Sequence, residues 1–266
     1  MFNKVLIPIV YNHNYSELLK TARFFYSNNM DWLYIFHVLE SGFKSMPQVE
    51  AWINELARRL YLEVGVKVSA GLSQGHVASK ILAKAREFEA DLVFIPVIKK
   101  NVVHRTLLGS TSSDVVRLTD KPTFVHKNKP DLVGEKPVKK LLFATDFSEG
   151  AQKAGEYIKN FSCVDNADLV LVHVGRRAGD PISEHRRRGI VNNKLGELVE
   201  EYSPYFNSIK TISDIGSPSK TILKNARELE VDLIVIGKYT KIRGTGLTGS
   251  TAENVITKAE ASVLLV

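Results

Sequence analysis

A chain that states one long pattern twice is constrained to fold as two copies of one unit. Residues 75–92 read GHVASKILAKAREFEADL and residues 216–233 read GSPSKTILKNARELEVDL. At an offset of 141 positions (216 − 75), Gly, Ile-Leu, Ala-Arg-Glu, Glu and Asp-Leu coincide without a gap. The match continues outward, with Lys4-Val5-Leu6 against Lys140-Leu141-Leu142, His37-Val38 against His173-Val174, and Gly109-Ser110-Thr111 against Gly249-Ser250-Thr251. A repeat of this length is a whole small domain, so the expected domains are residues 1–128 and 138–266. A polar linker, Lys127–Lys139, punctuated by Pro130, Gly134 and Pro137, joins them.

Bulk composition narrows the class. Hydrophobic residues at 44% and charged residues at 24% match a soluble globular protein. No apolar run approaches the ~18 residues of a membrane span, and the N-terminus lacks a signal-peptide layout, so no membrane partner is expected. One cysteine, Cys163, excludes an internal disulfide and fits a reducing cytoplasm. Residues 1–136 carry 18 Lys and Arg against 13 Asp and Glu, and residues 137–266 carry 18 against 16. This excess favours anionic ligands in general. Without a basic stripe interleaved with aromatics, nucleic acid is disfavoured as a partner.

Short apolar runs alternate with amphipathic stretches, the pattern of a parallel sheet covered by helices. The expected strands in the first copy lie at Val5–Ile7, Leu33–Phe36, Val66–Val68, Leu92–Ile95 and Thr123–Val125. Their counterparts are Leu141–Phe143, Leu169–Val172, Ile209–Ile212, Leu233–Ile236 and Val263–Leu265. Ile81, Leu82, Ala85 and Phe88 mark one helix face, repeated as Ile222, Leu223, Ala226 and Leu229. The helix of Trp52, Leu56 and Leu60 reads as core or interface. The fold class is therefore α/β: a doubly wound, five-stranded, parallel-type sheet built twice.

In such sheets a ligand sits beyond the carboxyl ends of the strands, where strand order reverses. In the second copy the first strand runs into Ala144-Thr145-Asp146-Phe147-Ser148-Glu149, and the fourth into Gly237 and a Gly-rich stretch ending Gly249-Ser250-Thr251. These segments, with the final strand, resemble the universal stress protein family across essentially the whole chain, once per copy. The family marks are a strand-end Asp in an ATDFSE-like turn and a G-x-x-G-x9-G-[ST] loop. The resemblance implies the adenine-nucleotide α-hydrolase-like fold, a regulatory role in stress response, and in some members ATP or AMP between the first and fourth strands. It places Asp146, with Ala144 and Thr145, beside the adenosine, Val174 at the adenine, Gly237 at the ribose, and Gly249, Ser250 and Thr251 at the phosphates. A helix opening at Gly249 offers free N–H groups and a positive dipole end to an anion. Two departures stand out: the family's second glycine is Thr240, and the spacing from Thr240 to Gly249 is one residue short. Either Gly244 and Gly246 restore conformational freedom and Lys241 and Arg243 add charge for phosphate, or the loop no longer closes on a triphosphate.

The first copy departs further. Val10 stands at the position of Asp146 (146 − 136), Pro96 at that of Gly237 (237 − 141), and Lys99 at that of Thr240 (240 − 141). Only Gly109-Ser110-Thr111 is kept, so this copy is expected to hold no adenosine and to be kept for pairing or for another ligand. Simpler readings stand beside these. Asp146 is also a competent helix cap. The twin histidines, His37 and His173, suit a structural role better than metal binding. Arg176, Arg177 and the run His185–Arg188 read as solvated charge, or as a grip on an anion or acidic partner.

No Walker loop, nucleophile elbow, HExxH or paired-cysteine motif is present. Three functions stay open. The first is a nucleotide-responsive binding protein, with Mg accompanying ATP. The second is a nucleotide-free scaffold for protein partners. The third is a slow ATPase or self-phosphorylating enzyme acting at Ser250 or Thr251. The copies are expected to form an intramolecular pseudo-dimer through the edges Thr123–Val125 and Val263–Val266, with a homodimer of the whole chain as a further assembly.

Overall fold

The computed structural model describes residues 2–39, 46–96, 109–127, 138–161, 167–238 and 249–266. The apolar runs become strands and the amphipathic stretches become helices, in the same order twice. The first copy runs β1 (Lys4–Pro8), α1 (Tyr15–Ser27), β2 (Trp32–Leu39), α2 (Met46–Val64), β3 (Lys67–Gln74), α3 (Val77–Glu87), β4 (Leu92–Pro96), α4 (Ser110–Leu118) and β5 (Thr123–His126). The second runs β6 (Lys140–Ala144), α5 (Glu149–Phe161), β7 (Asp168–Gly175), α6 (Pro181–Tyr202), β8 (Ser208–Ile215), α7 (Pro218–Glu228), β9 (Leu233–Ile236), α8 (Ser250–Lys258) and β10 (Ser262–Leu265).

Within each copy every strand pairing is parallel, and the spatial order reverses beside the first strand, β1 in one copy and β6 in the other. The two five-stranded sheets join through the edges expected to meet, Thr123–Val125 and Val263–Leu265. The order β3-β2-β1-β4-β5-β10-β9-β6-β7-β8 is one ten-stranded sheet. Its seam is antiparallel, with Val263 opposite Val125, Leu264 opposite Phe124 and Leu265 opposite Thr123. The reason is physical: β5 and β10 are bare edges, and pairing them satisfies a row of backbone groups that would otherwise recruit another chain. At the seam the Lys127 N–H donates to Ser262 Oγ at 3.2 Å.

Helices cover both faces. Because side chains alternate along a strand, Val5 and Ile7 pack toward Leu18, Ala22, Ile53 and Leu56 of α1 and α2, while Leu6 lies in the other layer with Ala78, Ile81 and Val115. The second copy repeats this, with Ala154, Ile158, Val191 and Leu195 on one face and Ile222, Ala252, Val255 and Ile256 on the other. Each layer runs unbroken across the seam. No helix among the described residues is long and apolar enough to cross a membrane.

Candidate functional site

The carboxyl ends of β6 and β9 lie side by side, with Ala144 paired to Ile236. Between them opens a cavity of about 220 Å³. Eight of the sequence-predicted residues line it: Ala144, Thr145, Asp146, Val174, Gly237, Gly249, Ser250 and Thr251. Thr240 and Arg243 lie outside the described residues, as do Lys241, Gly244, Gly246, Lys99 and Cys163. The remaining wall is Ala151, Val172, Pro218, Ile222, Ile236 and Ala252. Sequence reasoning does not reach those six as site residues. An apolar cavity wall carries the same sequence signal as core, which is how Ile222 and Ile236 read.

Asp146 is exposed, and its Oδ1 accepts the Ser148 N–H at 3.0 Å. The helix cap itself is Ser148, whose Oγ accepts the Ala151 N–H at 3.3 Å. Asp146 therefore shapes the turn into α5 and leaves capping to Ser148. Between them Phe147 has φ +61°, a left-handed conformation that costs an aromatic residue about 1–3 kcal/mol. It is held by its N–H donating to Thr145 Oγ1 at 3.0 Å and by stacking on His173, with ring centroids 4.6 Å apart.

His173 Nδ1 lies 3.0 Å from the Thr145 carbonyl, and in the first copy His37 Nδ1 lies 2.8 Å from the Ile9 carbonyl. Donating there, each imidazole ties the end of the first strand of its copy to the second. Burial first, then the nearby Arg187 and Lys194, lowers the His173 pKa against the opposing effect of the Thr145 bond, so the ring is neutral at pH 7. Among the described residues no group of three or more His, Cys, Asp or Glu gathers as a metal site.

Gly237 has a tighter task than access for a sugar. A Cβ there would lie 2.5 Å from the Gly150 carbonyl carbon and 2.7 Å from the Ala151 nitrogen. The first turn of α5 thus packs backbone to backbone against the end of β9. On the far wall α8 opens at Gly249 with no side-chain cap among the described residues, so its first-turn N–H groups and dipole face the cavity mouth rather than a capping oxygen. Gly249 itself has φ −63° and ψ 151°, ordinary extended backbone.

The first copy keeps the histidine tie and the glycine helix start but differs at the strand-end carboxylate. Val10 is 49% exposed, and Trp52 packs between Tyr11 (4.9 Å) and His37 (6.0 Å). Leu56 and Leu60 of the same helix are buried in the core. In the arginine run, Arg187 and Arg188 both bond Glu184, while Arg176, Arg177 and Arg186 are exposed.

The universal stress protein family profile matches residues 1–127 and again 137–266. The chain belongs to the universal stress protein family. It carries two universal stress protein units in tandem. Universal stress protein MJ0577 of Methanocaldococcus jannaschii is 29% identical over 152 residues, 48% of this chain and 94% of that protein. Universal stress protein Slr1230 of Synechocystis is 25% identical over 158 residues, 59% of this chain but 50% of the relative's own length. Among solved structures, a universal stress protein from Archaeoglobus fulgidus superposes with TM-score 0.71 at 20% identity, covering 100% of this chain and 98% of that one. A protein from Pseudomonas aeruginosa gives TM-score 0.78 at 18% identity, covering 100% and 93%. These two likenesses carry the fold.

Proposed function

We propose that this tandem universal stress protein binds an adenine nucleotide, ATP or AMP, in the C-terminal crevice and acts as a nucleotide-responsive binding protein. The observation that carries the reading is the make-up of one cavity. The strand-end Asp146, the glycine after β9 and the uncapped start of α8 share it with an apolar wall of Val172, Val174, Ile222 and Ile236. An apolar wall suits a purine, a carboxylate suits ribose hydroxyls, and a helix N-terminus suits phosphate. Mg would enter with ATP, held largely by the phosphates and water. The N-terminal copy, with Val10 and Pro96 at the matching positions, serves as structural partner. Titration of the purified chain with a fluorescent ATP analogue, competed by ATP and AMP, tests this reading. Saturable, competed binding is expected, and its absence removes the proposal.

One observation favours a second reading, docking of an acidic protein. The N-terminal half of α6 carries the exposed Ile182 (78%) and Ile190 (53%), and Arg176, Arg177 and Arg186, in and just before that segment of the chain, are exposed too. Exposed apolar and cationic side chains on one segment suit an acidic, partly apolar partner segment.

A further inference from the structure

We infer that Lys238 links the C-terminal crevice to the N-terminal copy, so that what enters beside Gly237 is felt by helix α4. The inference rests on the nucleotide reading for the identity of the ligand, and on geometry for the link itself.

Lys238 immediately follows Gly237, a cavity residue, and is anchored from three sides. Its N–H donates to the Val266 carbonyl at 2.6 Å, fixing it to the end of β10. Its own carbonyl lies against Gly150, where a Cβ would collide with it. Its side chain crosses into the other copy, donating from Nζ to the carbonyls of Thr119 at 2.7 Å and Lys121 at 3.2 Å. Thr119 is the C-cap of α4, and its N–H bonds the Val115 carbonyl. The ammonium group therefore sits at the negative end of α4, a favourable place for a cation. The other end of that helix opens at Gly109, the twin of the crevice's own Gly249.

In the inferred link Nζ either holds both carbonyls or releases them, since a displacement of Nζ itself by about 1 Å takes both contacts past hydrogen-bonding range. A ligand that settles against Gly237 biases that choice, and the choice sets the charge at the end of α4. Such a bistable element, biased from the site, is what coupling between two places requires. The matching residue of the first copy is Val97 (238 − 141), whose side chain has no donor.

Hydrogen exchange followed by mass spectrometry on the full chain tests it, comparing wild type with Lys238→Met, which keeps the bulk and loses the donor. Saturating ATP is expected to change exchange in residues 109–121 of the wild type by about threefold or more, a response lost in the variant while ATP is still bound. An undiminished response in Lys238→Met overturns the link, whereas failure of the wild type to bind ATP overturns only the nucleotide reading. In that case the ligand-free proteins decide. Lys238→Met is expected to raise exchange both at the end of α4 and around Gly249–Ala252, and a rise on one side alone overturns the link. Lys238→Arg, which keeps a cationic donor, is expected to restore the wild-type pattern. If Lys238→Met does not fold, Lys238→Leu makes the same comparison.

Discussion

Gly237 and Gly150 meet backbone to backbone, so closely that a side chain on Gly237 would lie 2.5 Å from the Gly150 carbonyl. Relief there requires the strand end or the helix start to move, since neither neighbour is a flexible side-chain tip. Gly237→Ala is therefore expected to destabilise the chain by about 1–3 kcal/mol, the range for overpacking. Gly196, on the exposed face of α6, gives the opposite control, because a methyl group added there would meet nothing within 4 Å. Gly196→Ala is expected to stabilise by about 0.5–1 kcal/mol. Urea unfolding of both variants checks the pair, and equal midpoints would refute the packing account of Gly237.

Nucleotide affinity is expected to separate the copies. Asp146→Ala and Gly249→Val are each expected to weaken ATP-analogue binding by at least about tenfold, the worth of one charge-assisted bond or of one blocked approach (~1.4 kcal/mol). Val10→Ala, at the matching point of the first copy, leaves affinity unchanged. Comparable losses at all three positions would mean that the crevice between β6 and β9 is not the site.

Two lysines held away from water predict a pH dependence. Burial pushes both Lys127, 2% exposed, and Lys238 down from an ordinary 10.5 to about 8. Between those values the unfolded chain binds more protons than the folded one, so folding stability rises with pH across this window. Burial raises the phenols of Tyr15 (to about 12), Tyr157 and Tyr202, so stability falls again once unfolded tyrosines ionise near 10. Urea midpoints are expected to climb from pH 8 toward 10 and then decline. Lys127→Met and Lys238→Met should each flatten the climb, and an unaltered slope in both would count against the burial cost.

The seam offers its own test. Ser262 is fully buried, and its Oγ accepts the Lys127 N–H across the copies. Ser262→Ala is expected to cost about 1–3 kcal/mol by removing that acceptor. Calorimetry checks whether the loss is shared. A single transition shifted as a whole is expected of one continuous sheet, and separate melting of the two copies would contradict it.

The ten strands are legible in the sequence because parallel strands are buried on both faces and read as apolar runs. The outer strands are legible only in part. The alternation marks Val66–Val68, yet β3 runs Lys67–Gln74, because its small and polar residues pair along the whole of β2. In the site, Asp146, Gly237 and Gly249 stand out because the repeat supplies its own comparison. The left-handed Phe147 does not, since nothing in a phenylalanine announces positive φ. Nor does the contact that Gly237 serves, because its partner Gly150 lies 87 positions away (237 − 150) and belongs to no motif. The single sheet is half legible, as a pairing of edges without the continuity of the two helix layers.

The antiparallel join of β5 to β10 asks little of side-chain identity, since its bonds are made by main chain. Two halves fused by such a join stay married whatever happens at their far rims. One half is then free to change at its crevice, where Val10 and Pro96 stand at the positions of Asp146 and Gly237, while the other keeps that carboxylate and that glycine. A pair of separate identical subunits could never divide labour in this way, because every change would strike both at once.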